Sequence, residues 1–387
     1  MLWEKQQEVH GKDEMKKDVK SKTYRMKICF AIGRLTNGGA ERAVSIIAGG
    51  LADKGHEVYL YVFAKSPADY AVDERVKIQY MCNSYEDYEK IPFTGRVRRF
   101  RKYLKEISPD AAAGFIQAGY ALYIASFGMK LKRAASLRTS PGKRNAKLDR
   151  VRTFLNDQWF RSADAVVLQC EGQRMYTLAE KWKHVVVIGN PLSEKIRQAD
   201  MHPDYGMCRN LVMAGRLEKE KNYPMAFRAV KMLQKSGTDV RLHIYGIGQE
   251  KDRLKALAAR YGLEDRIIFH GWASDMLPEY KKYDLFLMTS HYEGMPNALI
   301  EAMGAGMLCI STDCPTGPSD LIQNGVNGYL VKAGDAESLA RLIQKAVSMK
   351  PSERAAVGVR ARESVITEYA CGKIIDKWEA LFQELLE

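Results

Sequence analysis

Short apolar runs alternate with amphipathic helical patterns along most of the chain. Continuous apolar runs of this length are typical of strands buried on both faces of a parallel sheet. The first set of predicted strands is KICFAIG, EVYLYVF, DAAAGFI, AVVLQC and VVVIGNP, and the second set is NLVMAGR, VRLHIYG, RIIFHGW, DLFLMTS, MLCIST and NGYLV. Because strands that alternate with helices form βα units, the two sets predict two doubly wound α/β domains.

The domain boundary is predicted where the turn dipeptide Asn190-Pro191 closes the first set. We assign residues 26–192 to an N-terminal domain and residues 193–372 to a C-terminal domain, with residues 373–387 as a final helix. Ligands of doubly wound sheets bind beyond the carboxyl ends of the strands. The functional site is therefore expected in the cleft between the two domains.

The composition is that of a soluble globular protein, with 46% hydrophobic and 28% charged residues in a length of 387 that fits two domains. No stretch reaches the roughly 18 uncharged apolar residues that a membrane span requires. Residues 1–25 are charged and lack the apolar core of a signal peptide, which predicts a disordered extension. The seven cysteines form no C-x-x-C pair, which favours a reducing cytosol over a disulfide framework or a zinc site.

Positive charge is concentrated in the first half of the chain. Residues 1–200 hold 36 Lys and Arg against 23 Asp and Glu, whereas residues 201–387 hold 24 of each. Residues 96–152 carry 15 basic and three acidic side chains, and RVRRFRKYLKEI predicts a basic amphipathic helix. Such a surface suits an anionic membrane or a diphosphate-bearing acceptor, with a merely solvated face as the alternative. Nucleic acid is not expected as a partner, because no nucleic-acid-binding module accompanies the charge.

Two carboxylates flank the start of a predicted helix in SHYEGMPNALIEAMGAG. Glu293 falls in the loop before the helix, Pro296 takes the first helical position, and Glu301 lies about two turns inside. The backbone N–H groups of residues 294–298 form the positive end of this helix, which suits phosphate or another anion. Carboxylates accept hydrogen bonds from sugar hydroxyls, so the segment predicts a nucleotide-sugar pocket. Ordinary solvated glutamates at a helix start are the alternative interpretation.

Cationic and glycine-rich turns follow other predicted strands. In GRLEKEKNY, Arg216 and Lys221 are spaced so that both can reach a phosphate at the strand end, although cationic surface turns are also common. In GRLTNGGAER, Gly38 and Gly39 let the backbone approach an anion at the start of a helix, with a plain tight turn as the alternative. The glycine spacing does not fit G-x-G-x-x-G, so no dinucleotide fingerprint is indicated.

The segment from Glu293 to Gly306 resembles the E-x7-E region of the retaining glycosyltransferases of family 4, which have the GT-B fold of two Rossmann-like domains facing a central cleft. The resemblance implies that Glu293 contacts the transferred sugar and Glu301 the nucleotide ribose, while Arg216 and Lys221 neutralise the departing diphosphate. HIYGIGQE and FHGWASD resemble donor-binding segments of the same family. The residues that the resemblance implies are Glu293, Arg216 and Lys221 as catalytic, and Gly38, Gly39, Gly246, Trp272, Gly294, Met295, Pro296, Asn297, Ala298 and Glu301 as donor-binding.

One position departs from the family pattern. Many members carry a histidine after a strand near the acceptor, but here SLRTSPGKR places Arg138 there, and no histidine occurs between His56 and His184. Arginine cannot act as a base at neutral pH, so assistance by histidine is not expected. Arg138 could instead bind a phosphate of the donor or the acceptor.

The motifs and the resemblance together predict a retaining glycosyltransferase that moves a sugar from a nucleotide diphosphate, with UDP expected, to an acceptor hydroxyl. GGAER and TDCPTGPSDLI resemble the branch that builds bacterial surface polysaccharides such as capsule on polyprenyl diphosphate lipids. We expect no cofactor and no metal. We also expect a cytoplasmic protein that contacts the inner face of the plasma membrane peripherally through the basic residues 96–152.

Three other functions remain open from the sequence. A sugar-nucleotide epimerase of related fold would share the donor site, and a non-catalytic binder of anionic lipid would use the basic residues alone. A nicotinamide oxidoreductase is disfavoured by the missing fingerprint.

Overall fold

The computed structural model describes residues 24–36, 38–67, 69–115, 118–138, 158–175, 181–200, 206 and 208–387. Residues 1–23 of the predicted extension and residues 139–152 of the basic stretch lie outside the described residues. Within the described ranges, no helix combines the length and the apolar character needed to cross a bilayer.

The N-terminal domain is built on a parallel sheet. Its strands are β1 (Lys27–Ile32), β2 (Glu57–Ala64), β3 (Lys77–Cys82), β4 (Ala111–Phe115), β5 (Lys132–Ser136), β6 (Ala165–Leu168) and β7 (His184–Val187). Its helices are α1 (Gly39–Asp53), α2 (Tyr85–Lys90), α3 (Phe93–Ile107), α4 (Ala118–Ala125) and α5 (Gly172–Met175), with further helical residues at 158–162. Among the described residues the strand order is β3-β2-β1-β4-β5-β6-β7. Helices cover both faces, so β4 and β6 are buried along their whole length.

The C-terminal domain contains a second parallel sheet. Its strands are β8 (Asn210–Ala214), β9 (Arg241–Tyr245), β10 (Ile267–Gly271), β11 (Leu285–Met288), β12 (Leu308–Asp313) and β13 (Tyr329–Lys332). The helices from here to the end are α6 (Glu194–Gln198), α7 (Tyr223–Lys235), α8 (Lys251–Arg260), α9 (Leu277–Tyr280), α10 (Asn297–Gly304), α11 (Pro318–Leu321), α12 (Ala336–Ser348), α13 (Pro351–Ile366) and α14 (Cys371–Leu386). The strand order is β10-β9-β8-β11-β12-β13 in the described chain. The two doubly wound α/β domains predicted from the apolar runs are thus confirmed.

Two strands of the first sheet were not predicted from the apolar runs. Strand β3 lies at the sheet edge with its first three residues exposed. Strand β5 begins with the charged residues Lys132 and Arg133. Neither has the continuous apolar run on which the strand predictions depend, so pairing with the neighbouring strands β2 and β4 decides their structure.

Helix α14 follows the C-terminal domain in sequence but packs on the N-terminal domain. Trp378 is fully buried, with its ring 5.9 Å from the ring of Phe30 and 5.8 Å from that of Phe115. It is therefore a packing residue. The helix begins at Cys371, two residues before the predicted start at residue 373, and residues 367–370 separate it from α13.

Each sheet reverses its strand order at one place, between β1 and β4 in the first and between β8 and β11 in the second. At such a switch point the connections leave toward opposite faces of the sheet and open a crevice beyond the carboxyl ends of the strands. The glycine-rich turn follows β1, the cationic turn follows β8, and the loop with Glu293 follows β11. The fold therefore delivers these three motifs to the two switch points.

Candidate active site

Lys221 and Glu293 meet where two neighbouring strands of the second sheet end. Strand β8 pairs with β11, and the turns that follow them carry Lys221 and Glu293, respectively. The Nζ atom of Lys221 lies 2.6 Å from Oε1 of Glu293, and the two side chains are 21% and 11% exposed. A cation and a carboxylate are therefore held together where water is largely excluded, so their electrostatic interaction is stronger than on an open surface.

Hydroxyl groups position this pair. Ser290 donates its hydroxyl to Oε1 of Glu293 at 2.6 Å. Thr289 donates its hydroxyl to the carbonyl oxygen of Lys221 at 2.9 Å. The hydroxyl of Thr316 donates to the carbonyl oxygen of Glu293. These hydroxyl residues were not predicted as part of the site, because isolated Ser and Thr residues have no characteristic spacing in a sequence.

The start of helix α10 lies directly after this pair. The helix begins at Asn297 with Pro296 as its N-cap, so the prediction that Pro296 is the first helical residue is wrong by one position, because its backbone is extended with ψ 98°. Proline has no side-chain acceptor and leaves the first amides of the helix available to a ligand. The Met295 side chain is buried in the core of the C-terminal domain. A donor contact by Met295 would therefore come from its backbone.

Glu301 is held by a cation from the other domain. Its carboxylate forms an ion pair with the guanidinium of Arg42 in the first turn of α1. Burial raises the pKa of Glu301, the Arg42 charge opposes this rise, and Asp275 adds to it. The two predicted glutamates thus have different partners, Lys221 from their own domain and Arg42 from across the cleft.

The predicted glycines lie at points of close approach. A Cβ on Gly246 would overlap the carbonyl oxygen of Gly215, so the turns after β8 and β9 can lie side by side only without a side chain there. A Cβ on Gly38 would overlap the carboxylate of Glu41, which sits over the start of α1. The anion position predicted at Gly38 and Gly39 is therefore occupied, beside Gly38, by a carboxylate of the chain itself.

Arg216 and Trp272 are predicted site residues with exposed side chains: 60% of the Arg216 side chain and 56% of Trp272 are accessible. The guanidinium of Arg216 lies 3.4 Å from Oε1 of Glu220. Its charge also reaches Glu41 of the N-terminal domain: burial raises the pKa of Glu41, and Arg216 opposes the rise. Arg216 thus faces the cleft from the side opposite α1.

Arg138 is buried just after β5. Its Nε donates to Oγ of Ser136 at 2.7 Å, and NH1 donates to Oδ1 of Asn190 at 2.7 Å. The guanidinium lies 4.7 Å from the ring centroid of Phe115. Its NH2 has no hydrogen-bond partner among the described residues. Burial lowers the pKa of Arg138 to about 9, so the side chain remains charged at neutral pH.

Asn190 links Arg138 to the donor side of the cleft. Asn190 Nδ2 donates to Oδ1 of Asn297 at 2.5 Å, and Asn297 Nδ2 donates to the carbonyl oxygen of Gly39 at 3.2 Å. A chain of hydrogen bonds therefore runs from Arg138 to the start of α10 and on to the start of α1. In the sequence, Asn190 carried only a turn signal, so this link was missed.

A pair of histidines lies on β9 and β10. His243 Nδ1 and His270 Nε2 are 2.9 Å apart, and the His270 ring stacks on Tyr245 with a centroid distance of 4.5 Å. Burial, together with the neighbouring His270, lowers the pKa of His243 to about 4. Both histidines are thus engaged with each other. In the part of the chain that the structure covers, no group of three or more His, Cys, Asp or Glu is placed to hold a metal ion.

Comparison with protein families decides the class. The model for glycosyltransferase family 4 matches residues 37–194, and that for glycosyl transferases group 1 matches residues 201–364. The chain belongs to glycosyltransferase family 4. Together the two matches span most of both domains. The resemblance noted for the segment around Glu293 is thereby confirmed, and so is the GT-B fold.

Named relatives are glycosyltransferases, and a solved structure shares the fold. A lipopolysaccharide 1,6-galactosyltransferase of Escherichia coli is 31% identical over 166 residues, which are 42% of this chain and 46% of that enzyme. An N-acetylgalactosaminyltransferase of Campylobacter jejuni that acts on a polyprenyl diphosphate (undecaprenol) glycan is 28% identical over 82% of this chain and 88% of its own length. The crystal structure of Anabaena HepE with UDP superimposes with a TM-score of 0.75 at 19% identity, over 93% of this chain and 100% of that one.

Proposed function

We propose that this protein is a retaining glycosyltransferase that transfers a sugar from a UDP-sugar to a hydroxyl of a glycan acceptor, carried on a polyprenyl diphosphate, in the synthesis of a bacterial surface polysaccharide. The observation that carries the proposal is the Lys221–Glu293 pair at the start of α10. It combines a cation, a carboxylate and a helix N-terminus where two adjacent parallel strands end. The names of the relatives and the UDP in the Anabaena structure support the choice of donor and acceptor.

The reaction breaks the bond between the anomeric carbon of the sugar and the donor diphosphate. A bond forms from that carbon to the acceptor oxygen on the same face, and the acceptor proton passes to an oxygen of the leaving diphosphate. Negative charge grows on the diphosphate, where Arg216, Lys221 and the amides of α10 stabilise it. Glu293 orients the sugar hydroxyls. No metal and no separate protein base enters this scheme.

Lys221 can serve the diphosphate without releasing Glu293. An ammonium group has three N–H donors, and the pair with Oε1 of Glu293 uses one of them. The cation is therefore already positioned before the donor arrives. Such preorganisation lowers the reorganisation needed during the reaction.

Arg138 is our candidate for the acceptor side of the site, or for a donor phosphate. It is buried and charged, and its NH2 lacks a partner in the described chain. A buried guanidinium without a carboxylate is costly unless an anion completes its surroundings. A phosphate oxygen would supply that anion.

Incubation with UDP-sugars and polyprenyl diphosphate oligosaccharides tests the proposal. Mass spectrometry should detect a glycosylated acceptor, and NMR should show a retained anomeric configuration. Lys221→Ala and Glu293→Ala should each reduce turnover by at least about 100-fold with an unchanged circular dichroism spectrum. Lys219→Ala, an exposed lysine on the same turn, is the matched control. Near-normal transfer by both active-site variants would refute the assignment.

The same incubations, together with measurements of NAD binding and vesicle binding, separate the other functions. An epimerase would convert or release the sugar without an acceptor. An oxidoreductase would bind NAD. A non-catalytic lipid binder would bind vesicles and leave every UDP-sugar intact.

We also propose that the protein contacts an anionic membrane through a surface of the N-terminal domain. Helix α3 exposes Arg98, Arg99, Lys102 and Lys105, and Phe127, in the turn after the adjacent α4, is 73% exposed. Arg101 on α3 donates to the carbonyl oxygen of Phe127 at 2.7 Å and so fixes the turn that presents this ring. Cations beside an exposed aromatic ring suit the interface of an anionic bilayer.

Vesicle sedimentation tests this surface. Binding should require anionic lipid, weaken as salt rises, and fall in the variants Phe127→Ser and Lys102→Gln. Lys90→Gln on α2, in an exposed ion pair with Glu86, is the control. Equal affinity for neutral vesicles would discard the proposal.

A further inference from the structure

Arg42 reaches across the cleft from α1 to Glu301 on α10. Its NH1 forms an ion pair with Oε1 of Glu301, and the two side chains are 34% and 13% exposed. The resemblance to family 4 implies that Glu301 contacts the nucleotide ribose, so in the proposed transferase its carboxylate accepts hydrogen bonds from the ribose hydroxyls of the donor. The carboxylate that would contact the nucleotide is thus held by the domain on the other side of the cleft.

The surroundings of Glu301 disfavour its ionised form. Burial raises the pKa of Glu301, and Asp275 raises it further, whereas the Arg42 guanidinium opposes both. The phenols of Tyr70 and Tyr280 also face this pair. Burial raises the pKa of both phenols. The Arg42 charge opposes the rise at both, and the Glu301 charge adds to it at both, so both phenols are neutral near pH 7. Among the described residues, the cation paired with Glu301 is Arg42.

The pair leaves room for a ligand. A carboxylate has two oxygens with about four acceptor positions. Arg42 contacts Oε1, so Oε2 remains for a ribose hydroxyl. The hydrogen bond from Asn297 Nδ2 to the carbonyl oxygen of Gly39, at 3.2 Å, joins helices α10 and α1 a second time. Arg42 therefore need not leave Glu301 when the donor binds.

We propose that Arg42 is a positioning residue, which keeps Glu301 ionised and oriented toward the ribose hydroxyls so that both domains contribute to donor affinity. This inference rests on the proposed function. Without Arg42, Glu301 takes up a proton more readily, and a protonated carboxyl accepts a ribose hydroxyl less well. The lost affinity then returns as the pH rises and Glu301 ionises.

Calorimetric titration measures binding affinity for two probes, UDP and a UDP analogue that lacks both ribose hydroxyls. Wild type should bind UDP more tightly than the analogue at every pH between about 6 and 9. Arg42→Gln should weaken UDP binding about tenfold at pH 7, regain affinity toward pH 9, and bind the analogue as wild type does. Arg42→Lys keeps the charge and should recover most of the affinity. Glu301→Gln should bind UDP weakly at all pH values, with or without Arg42→Gln.

Each other outcome has a distinct meaning. If wild type and Glu301→Gln behave as expected but Arg42→Gln matches wild type, the inference fails and the proposed function stands. If Arg42→Gln weakens the analogue as much as UDP, Arg42 acts on another part of the nucleotide, and the inference fails as well. If wild type binds neither probe, the proposed function itself is wrong. Circular dichroism of Arg42→Lys and Arg42→Gln separates lost binding from lost folding.

Discussion

Variants of the Lys221–Glu293 pair separate its contribution to folding stability from its contribution to catalysis. In Lys221→Met the apolar stem is kept and the charge is lost, so Glu293, 11% exposed, keeps the hydroxyl of Ser290 but no cation. Breaking a fully buried ion pair costs about 3–5 kcal/mol. Because the Lys221 side chain is 21% exposed, water compensates in part, and we expect a loss of about 1–3 kcal/mol in the free energy of unfolding.

The double variant Lys221→Met with Glu293→Gln removes both charges. We expect its loss in free energy of unfolding to be about 1–2 kcal/mol smaller than the sum of the losses in the two single variants, because no uncompensated charge remains. Turnover should not recover in the double variant, because the diphosphate still lacks its cation and the sugar its carboxylate. Each single variant should lower kcat by about 10²–10³.

Urea unfolding followed by circular dichroism measures stability, and UDP release measures turnover. The exposed pair of Lys90 and Glu86, 2.8 Å apart, is the control, for which a coupling below about 0.5 kcal/mol is expected. Strictly additive losses of stability would show that Lys221 and Glu293 do not interact. Recovery of turnover in the double variant would show that the pair is structural and that the catalytic assignment is wrong.

Three further predictions follow from packing and titration. Trp378→Ala should lower the free energy of unfolding by about 3–5 kcal/mol, because the ring is fully buried between α14 and the first sheet. Trp272→Ala, whose ring is 56% exposed, should leave thermal unfolding unchanged and weaken UDP binding. Equal stability losses in the two variants would contradict the packing role of Trp378. Gly246→Ala should weaken UDP binding and lower the free energy of unfolding by more than about 1 kcal/mol, because its Cβ would overlap the Gly215 carbonyl oxygen. In Gly372→Ala the added Cβ meets open space, so this control should match wild type in the same assays. His243 has a pKa of about 4 in the folded protein against about 6.5 when unfolded, so unfolding takes up a proton between these pH values and stability should fall as the pH drops from about 6.5 to 4. Melting curves of His243→Phe should depend less on pH over this range. An unchanged pH dependence of the melting temperature would refute the role of His243.

Much of the fold was readable from local pattern. Continuous apolar runs marked β1, β8 and β11, since a strand buried on both faces must be apolar throughout. The sequence also predicted the position of the site residues Arg216, Lys221 and Glu293 and of the start of α10, because each follows the end of a buried strand. Parallel strands bring such ends to one edge of a sheet. Strands β3 and β5 were missed, because their pairing partners rather than their own composition place them in the sheet.

Tertiary structure decided the partners of the site residues. Arg42 and Glu301 are 259 residues apart, and Lys221 and Glu293 are 72 apart, so no local spacing could pair them. The link from Arg138 through Asn190 to Asn297 likewise depends on how the two sheets face each other. Residue type and period specify the buried strands, the helices and the turns because those are set mainly by neighbours in the chain, whereas β3 and β5 depend on their pairing partners. Which cation meets which carboxylate is set by the packing of whole domains, since the distances that govern electrostatic interactions are fixed only when the cleft is assembled.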